Sequence, residues 1–200
     1  VVALVDDEGL AQARDVQSIL EGCGKGEIDV VWLQAADEVD VARLGKAFVV
    51  YQGHHGDRGA HRADVILPGA AYTEKNATYV NTEGRAQRAR IANFPPGEAR
   101  EDWKILRALS ERVGHKLPYD TIAQLRQRMA RASEALARVD ELVPAAWGAF
   151  GAEGPVDATP FRSPVAEFHM TCAISRVSET MASCVAARQA ALDPRTGTDG

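Results

Sequence analysis

Four apolar runs recur within the first 67 residues, each too short for a buried helix: residues 1–5 (VVALV), 28–33 (IDVVWL), 47–51 (AFVVY) and 63–67 (ADVIL). Continuous apolar runs of this length between polar connections suit strands covered on both faces. Between the first two, Leu10, Ala13, Val16 and Leu20 recur at helical spacing behind the acidic start Asp6-Asp7-Glu8, and Gly22 and Gly24 can end that helix. Strand, helix and strand in this span is the βαβ spacing, which predicts a right-handed crossover and a parallel pair. The expected fold class is α/β, with a mostly parallel, Rossmann-like sheet and flanking helices. A short helical piece at 40–45 precedes the third strand, and Pro68-Gly69 stops the fourth because proline cannot donate to a sheet ladder.

Beyond the fourth run the pattern changes. Residues 78–92 (TYVNTEGRAQRARIA) are polar and rich in turn formers, and read as short strands or an extended loop. Phe94-Pro95-Pro96-Gly97 is a clear break. After it, Trp103, Leu106, Leu109 and Val113 share a helical face ended by Gly114, and Asp120 or Thr121 caps a further helix with the stripe Ile122, Leu125 and Met129. These two helices are expected to close the sheet. The chain thus divides into an α/β domain at 1–142, a Pro- and Gly-rich linker or arm at 143–164, an amphipathic helix at 165–192 and a tail at 193–200. The last helix is read from Ile174, Val177, Met181 and Val185, one seam at i, i+3, i+7 and i+11.

Composition narrows the class of function. With 46% hydrophobic and 26% charged residues, 200 residues are enough for one domain with a real core. A net charge of -5 argues against a generic nucleic-acid binder, although arginines cluster at Arg85, Arg88 and Arg90 and again at Arg126, Arg128 and Arg131. Such clusters read as solubility or protein-contact features. Cys23, Cys172 and Cys184 are widely spaced, odd in number and form no C-x-x-C pair, so a disulfide framework or an iron-sulfur site is not expected and a reducing compartment is. No apolar run approaches the roughly 20 residues that a membrane span needs. The chain starts directly in a strand pattern without Met, which reads as part of a longer protein.

Residues 47–90 combine a strand end, a glycine-rich loop, a second strand and a polar turn, the frame in which open parallel sheets place ligands. Gly53, Gly56 and Gly59 with His54, His55, Asp57, Arg58 and His61 could form an anion loop, or a tight connection needing positive φ. Neither G-x-G-x-x-G nor a Walker lysine is present. His54, His55, His61, Asp64 and Glu74 are metal-ligating types, but adjacent histidines on extended chain point to opposite faces, and structural hydrogen bonding is the expected role. The run Gly22-Cys23-Gly24-Lys25-Gly26 follows a helix and reads as a cap and turn. No G-x-S-x-G elbow exists, and the Cys nearest a His is Cys172, after His169, so nucleophilic catalysis has no positional support.

The stretch ADVILPGAAYTEKNATYVNTEGRAQR, residues 63–88, resembles a signature of the molybdopterin oxidoreductase superfamily, A-D-V-x-L-P followed by E-K, T and N-x-E-G-R-x-Q. VVYQGHHGDRGAHR at 49–62 narrows the resemblance to the large iron-sulfur subunit of respiratory NADH:quinone oxidoreductase, complex I. EDWKILRALSERVG at 101–114 and MTCAISRVSETMASC at 170–184 are similar to the carboxy-terminal end of that subunit. The resemblance implies a non-catalytic scaffold segment of the peripheral arm, without catalytic, cofactor or metal residues of its own. The [4Fe-4S] and [2Fe-2S] clusters would be carried in an amino-terminal region of the parent subunit. Implied partners are other peripheral-arm subunits of complex I, with neither nucleic acid nor membrane insertion. The implied location is the cytoplasmic face of a bacterial inner membrane or the matrix side of the mitochondrial one. Cys172-Ala173 departs from the family pattern after Met-Thr and is expected to let the final helix start earlier.

The rival reading is a fragment of a molybdopterin-dependent enzyme, such as a formate dehydrogenase, that retains its pterin. Tyr79, Asn81, Glu83 and Arg85 would then be the pterin contacts. A third is an anion-binding module built on the 53–62 loop.

Overall fold

The structure, a computed structural model, describes residues 14–144, 146, 148–149, 151–155, 158–159 and 167–192. The strand expected at 1–5, the start of the first helix and the tail at 193–200 lie outside the described residues. Two compact units are present, Val1–Pro144 and Ala145–Gly200.

In the first unit, helix α1 (Val16–Lys25) is capped by Asp15, whose side chain accepts from the Ser18 amide at 2.7 Å. Its stop differs from the sequence reading. Gly22 and Gly24 lie inside the helix, and Gly26, at φ 73, is the left-handed cap whose N–H closes the last turn. Gly22 is buried, and a Cβ there would come within 2.9 Å of Ile28, so packing accounts for that glycine. Strands β1 (Val30–Gln34), β2 (Phe48–Gly53) and β3 (Val65–Pro68) form a parallel sheet in that order, registered Val31 to Val49 and Tyr51 to Ile66. The α/β class is as expected. A 3-10 turn at Val41–Leu44, capped by Asp40, and the short helix α2 (Arg58–Arg62) complete the connections. The core is Leu20, Cys23, Val31, Leu33, Leu44, Val49, Tyr51 and Ala60. β2 lies between two strands and is buried from Val49 to Gln52, in keeping with its apolar run from Phe48 to Tyr51.

Strands β4 (Ala77–Val80) and β5 (Ala86–Ala89) form a separate antiparallel hairpin. Helices α3 (Asp102–Arg112), α4 (Ile122–Ala132) and α5 (Glu134–Ala137) follow. Thr121 is the α4 cap, in a reciprocal capping box with Gln124. Gly114 has φ 81, in line with its reading as a stop. The face read for α3 is only partly as expected: Trp103, Leu106 and Leu109 are half-buried and Val113 is exposed, whereas Arg107 and Ser110 are buried. Arg107 is held inside because its guanidinium donates to the Tyr119 carbonyl at 2.9 Å and to Asp120 at 2.6 Å. Nor do these helices close the sheet. α3 meets it at its amino end through Asp102 and Gln52, α4 packs with α5, and Val30, Phe48 and Ile66 remain exposed.

In the second unit, residues 167–178 are not α-helical. A 3-10 turn at Ser175–Val177 precedes helix α6 (Glu179–Leu192). Of the helix read at 165–192, Glu179–Leu192 is helical and residues 165–166 lie outside the described residues; an earlier start at Cys172 is not observed. The Cys172 carbonyl accepts from Arg176, and Ser178 begins the helix, its hydroxyl accepting from the Met181 amide at 3.3 Å. Ile174 and Val177 therefore precede the helix, and Val177 is exposed. The half-buried face of α6 is Met181, Cys184, Val185 and Arg188, with Arg188 stacked 4.1 Å from the Phe168 ring.

Candidate functional site at the carboxyl edge of the sheet

Open parallel sheets bind ligands beyond the carboxyl ends of their strands. Here β2 ends in Tyr51-Gln52-Gly53 and β3 in Pro68, followed by Gly69. The Tyr51 ring is buried, its hydroxyl 2.9 Å from Asp37 Oδ2 and 3.0 Å from the His55 carbonyl. Asp37, itself buried, accepts from the Gly59 amide at 3.2 Å through its other oxygen. A Cβ on Gly53 would lie 2.6 Å from the Tyr51 hydroxyl, and one on Gly59 would lie 3.0 Å from the Tyr51 ring. Gly53, Gly56 and Gly59 are not in the positive-φ region, so the tight-turn reading does not explain them either. At Gly53 and Gly59, glycine is required because Tyr51 fills the space that a side chain would need.

The neighbouring part of the edge is occupied by charge. Gln52, fully buried, donates from Nε2 to Asp102 Oδ1 at 2.9 Å, and Lys75 Nζ pairs with Asp102 Oδ2 at 2.5 Å. The Gln52 Oε1 has no hydrogen-bond partner among the described residues. Gly69 is again a close approach, since a Cβ there would lie 3.1 Å from Asp102. The Gly69 amide donates to the Gly53 carbonyl, and Arg100 bridges alongside Gly69 as a further parallel rung. Glu101 is buried, accepting from the Asn76 amide at 2.9 Å and pairing with Lys104 at 2.6 Å. Burial alone would raise its pKa; the Lys104 ammonium and the Asn76 amide outweigh it and hold the carboxyl below its ordinary range. Sequence reasoning does not single out Asp37, Gln52, Glu101, Asp102 or Lys104. The available signal is a Gln inside an apolar strand and an acidic pair opening a helix.

The histidines differ from expectation. The loop after β2 is not extended, and His54 and His55 meet through their Nδ1 atoms at 2.8 Å with rings at 78°. Burial first, then His55 and Lys75, push the pKa of His54 down, against Asp102 and Glu74. His61 lies on α2. Asp64 accepts from the Val49 amide at 2.8 Å, and Glu74 accepts from the Ala71 amide at 2.9 Å, both structural roles as read. No group of three His, Cys, Asp or Glu side chains converges among the described residues.

Of the hairpin residues, Asn81 is committed to the turn, its Oδ1 accepting from the Glu83 and Arg85 amides at 3.0 Å each. Glu83 pairs with Arg85 at 3.6 Å. These two line a shallow cleft with Glu134, Arg138 and Leu142, while Tyr79 and Asn81 do not. Asn81, Glu83 and Arg85 are thus held together by the turn, while Tyr79 lies on β4. A pterin cofactor needs an open backbone approach for its phosphates. The edge whose glycine spaces are taken by Tyr51 and Asp102 does not fit it, and Arg85 at the cleft already faces a carboxylate. The cysteines do not supply an iron-sulfur donor set. Cys23 is buried, with burial pushing its thiol up. Cys172 is exposed, its thiol lowered first by the Ser175 hydroxyl, and Cys184 is half-buried on α6.

Residues 3–112 match the family Molybdopterin oxidoreductase, and residues 141–184 match the C-terminal family of the G subunit of NADH-ubiquinone oxidoreductase. The NADH-ubiquinone oxidoreductase 78 kDa subunit, mitochondrial, of Neurospora crassa is 52% identical over 175 residues, covering 83% of this chain and 23% of that protein. The protein of the same name from Candida albicans is 49% identical over 166 residues, 78% of this chain and 23% of its own length. The NADH dehydrogenase [ubiquinone] iron-sulfur protein 1, mitochondrial, of Solanum tuberosum is 49% identical over 160 residues, 78% of this chain and 22% of that protein. The chain thus spans about a quarter of the length of these curated relatives.

Proposed function

Because this chain belongs to the molybdopterin oxidoreductase family and carries at 141–184 the C-terminal region of the large iron-sulfur subunit of complex I, we propose that it is a non-catalytic scaffold segment of the peripheral arm. In this reading NADH-to-quinone electron transfer runs through clusters held elsewhere in the parent subunit. The present residues pack around that path and dock neighbouring subunits, in part through the 143–190 arm. The parent complex would hold the chain peripherally at its membrane, and among the described residues no helix is long and apolar enough to cross one.

The observation that carries the reading is the filled carboxyl edge. Tyr51 bonds to Asp37, and Gln52 Nε2 and Lys75 both bond to Asp102, where an active member of such a fold would leave room for its ligand. Hydrogen bonds and an ion pair of this kind, anchored on the buried Tyr51, Asp37 and Gln52, hold the edge in a single arrangement. Two measurements test this. Elemental analysis of the purified chain should find neither molybdenum nor iron at stoichiometric level; stoichiometric molybdenum would favour the pterin-retaining enzyme instead. In the intact complex, Tyr51→Phe should lower the amount assembled while leaving turnover per assembled complex unchanged. A fall in turnover per complex would overturn the scaffold role.

A further inference from the structure

The chain is acidic overall, yet its arginines gather on the hairpin and α4. Arg88 of β5 and Arg126 of α4 line one cavity of roughly 340 Å³ with Thr78, Ile122, Met129 and Leu136. Arg126 donates from Nη2 to the Ala77 carbonyl at 3.2 Å, tying helix to hairpin, while its Nε is buried without a partner. Among the described residues neither Arg88 nor Arg126 has an ion pair, whereas Arg85, Arg107 and Arg138 each face a carboxylate. Burial first and Arg88 second push the pKa of Arg126 down, with Glu101 opposing. Two guanidinium groups of like charge beside a buried unsatisfied donor are relieved by an anion, and their planar forks match a carboxylate. The remaining wall is mostly apolar, so an inorganic ion would leave Ile122, Met129 and Leu136 uncovered, whereas a peptide segment brings both kinds of surface.

We propose that this cavity receives a glutamate or aspartate side chain from an acidic, amphipathic segment of a neighbouring protein chain. Its carboxylate bridges Arg88 and Arg126, and its apolar flank lies on Ile122, Met129 and Leu136. The inference rests on the reading of the chain as a subunit of a larger assembly. It is tested on the full chain by following the Arg126 Nε–H resonance by NMR during titration with the capped peptide acetyl-Leu-Glu-Glu-Leu-amide and its glutamine counterpart. The glutamate peptide should shift the resonance and the glutamine peptide should not. Arg88→Gln, at an exposed position, should weaken binding about tenfold, and Arg90→Gln by no more than about twofold. Absence of a shift, or equal affinity of the Arg88→Gln chain, overturns the site. Potassium phosphate shifting the resonance as strongly as the peptide overturns the protein segment as occupant. A metal-free chain that binds no peptide loses this inference alone, while stoichiometric molybdenum or iron counts against the scaffold reading whichever way the titration goes.

Discussion

Replacing Tyr51 by Phe removes one hydroxyl and leaves the buried Asp37 carboxylate only the Gly59 amide of these two donors. An unsatisfied buried acceptor costs about 1–3 kcal/mol, so denaturant unfolding should show a loss of that size with little change in slope. Gly53→Ala places a Cβ 2.6 Å from the Tyr51 hydroxyl and is expected to cost about 1–3 kcal/mol by overpacking, measured in the same way. At His54 the folded pKa is depressed, so the neutral form is the one the fold favours. The associated stability is present above the ordinary value near 6.5 and is lost as pH falls through the lowered one, because the unfolded chain takes up the proton first. His55→Asn removes a like-charged neighbour and should raise the His54 midpoint in an NMR titration. At this scale the glycine-rich loop is legible as a special backbone but its reason is not. Period and composition do not reveal that Tyr51, on the strand itself, folds back against Gly53 and Gly59. The adjacent histidines depart from their expected opposite faces because extended geometry gives way to a turn whose carbonyl at His55 faces Tyr51.

Among the elements, the parallel strands are the most legible, since each is a short apolar run between polar connections, and that of β2 is buried from Val49 to Gln52. Helix ends are legible where a side chain caps them. Thr121→Ala removes the hydroxyl that accepts from the Gln124 amide, one half of the α4 capping box, and should destabilise the first unit by about 1 kcal/mol in thermal or denaturant unfolding. Where tertiary pairing overrides period, the pattern misleads. Arg107 occupies the buried face of α3 in place of Val113 because Tyr119 and Asp120 satisfy its donors. The seam from Ile174 to Val185 spans a 3-10 turn and a Ser178 cap, where helical spacing no longer relates one residue to the next.

For the molecule as a whole, the first unit has its own core from Leu20 to Ala60, so a chain ended after Pro144 should still unfold in one cooperative transition by calorimetry. The candidate site is visible in the sequence as a frame, through the order strand, glycine loop, strand and turn. Its occupants are not, because Gln52 and Asp102 come from segments 50 residues apart that only the fold brings together. The packing of Tyr51 has a further consequence, for the accessibility of mutational paths. Enlarging Gly53 or Gly59 clashes with the ring, and trimming Tyr51 strands the Asp37 carboxylate, so each single step away from the present arrangement goes downhill in stability. Making room at this edge therefore takes coordinated changes at Tyr51 and Asp37 at least. Glycines that look like the imprint of a bound cofactor are held in place by an aromatic ring.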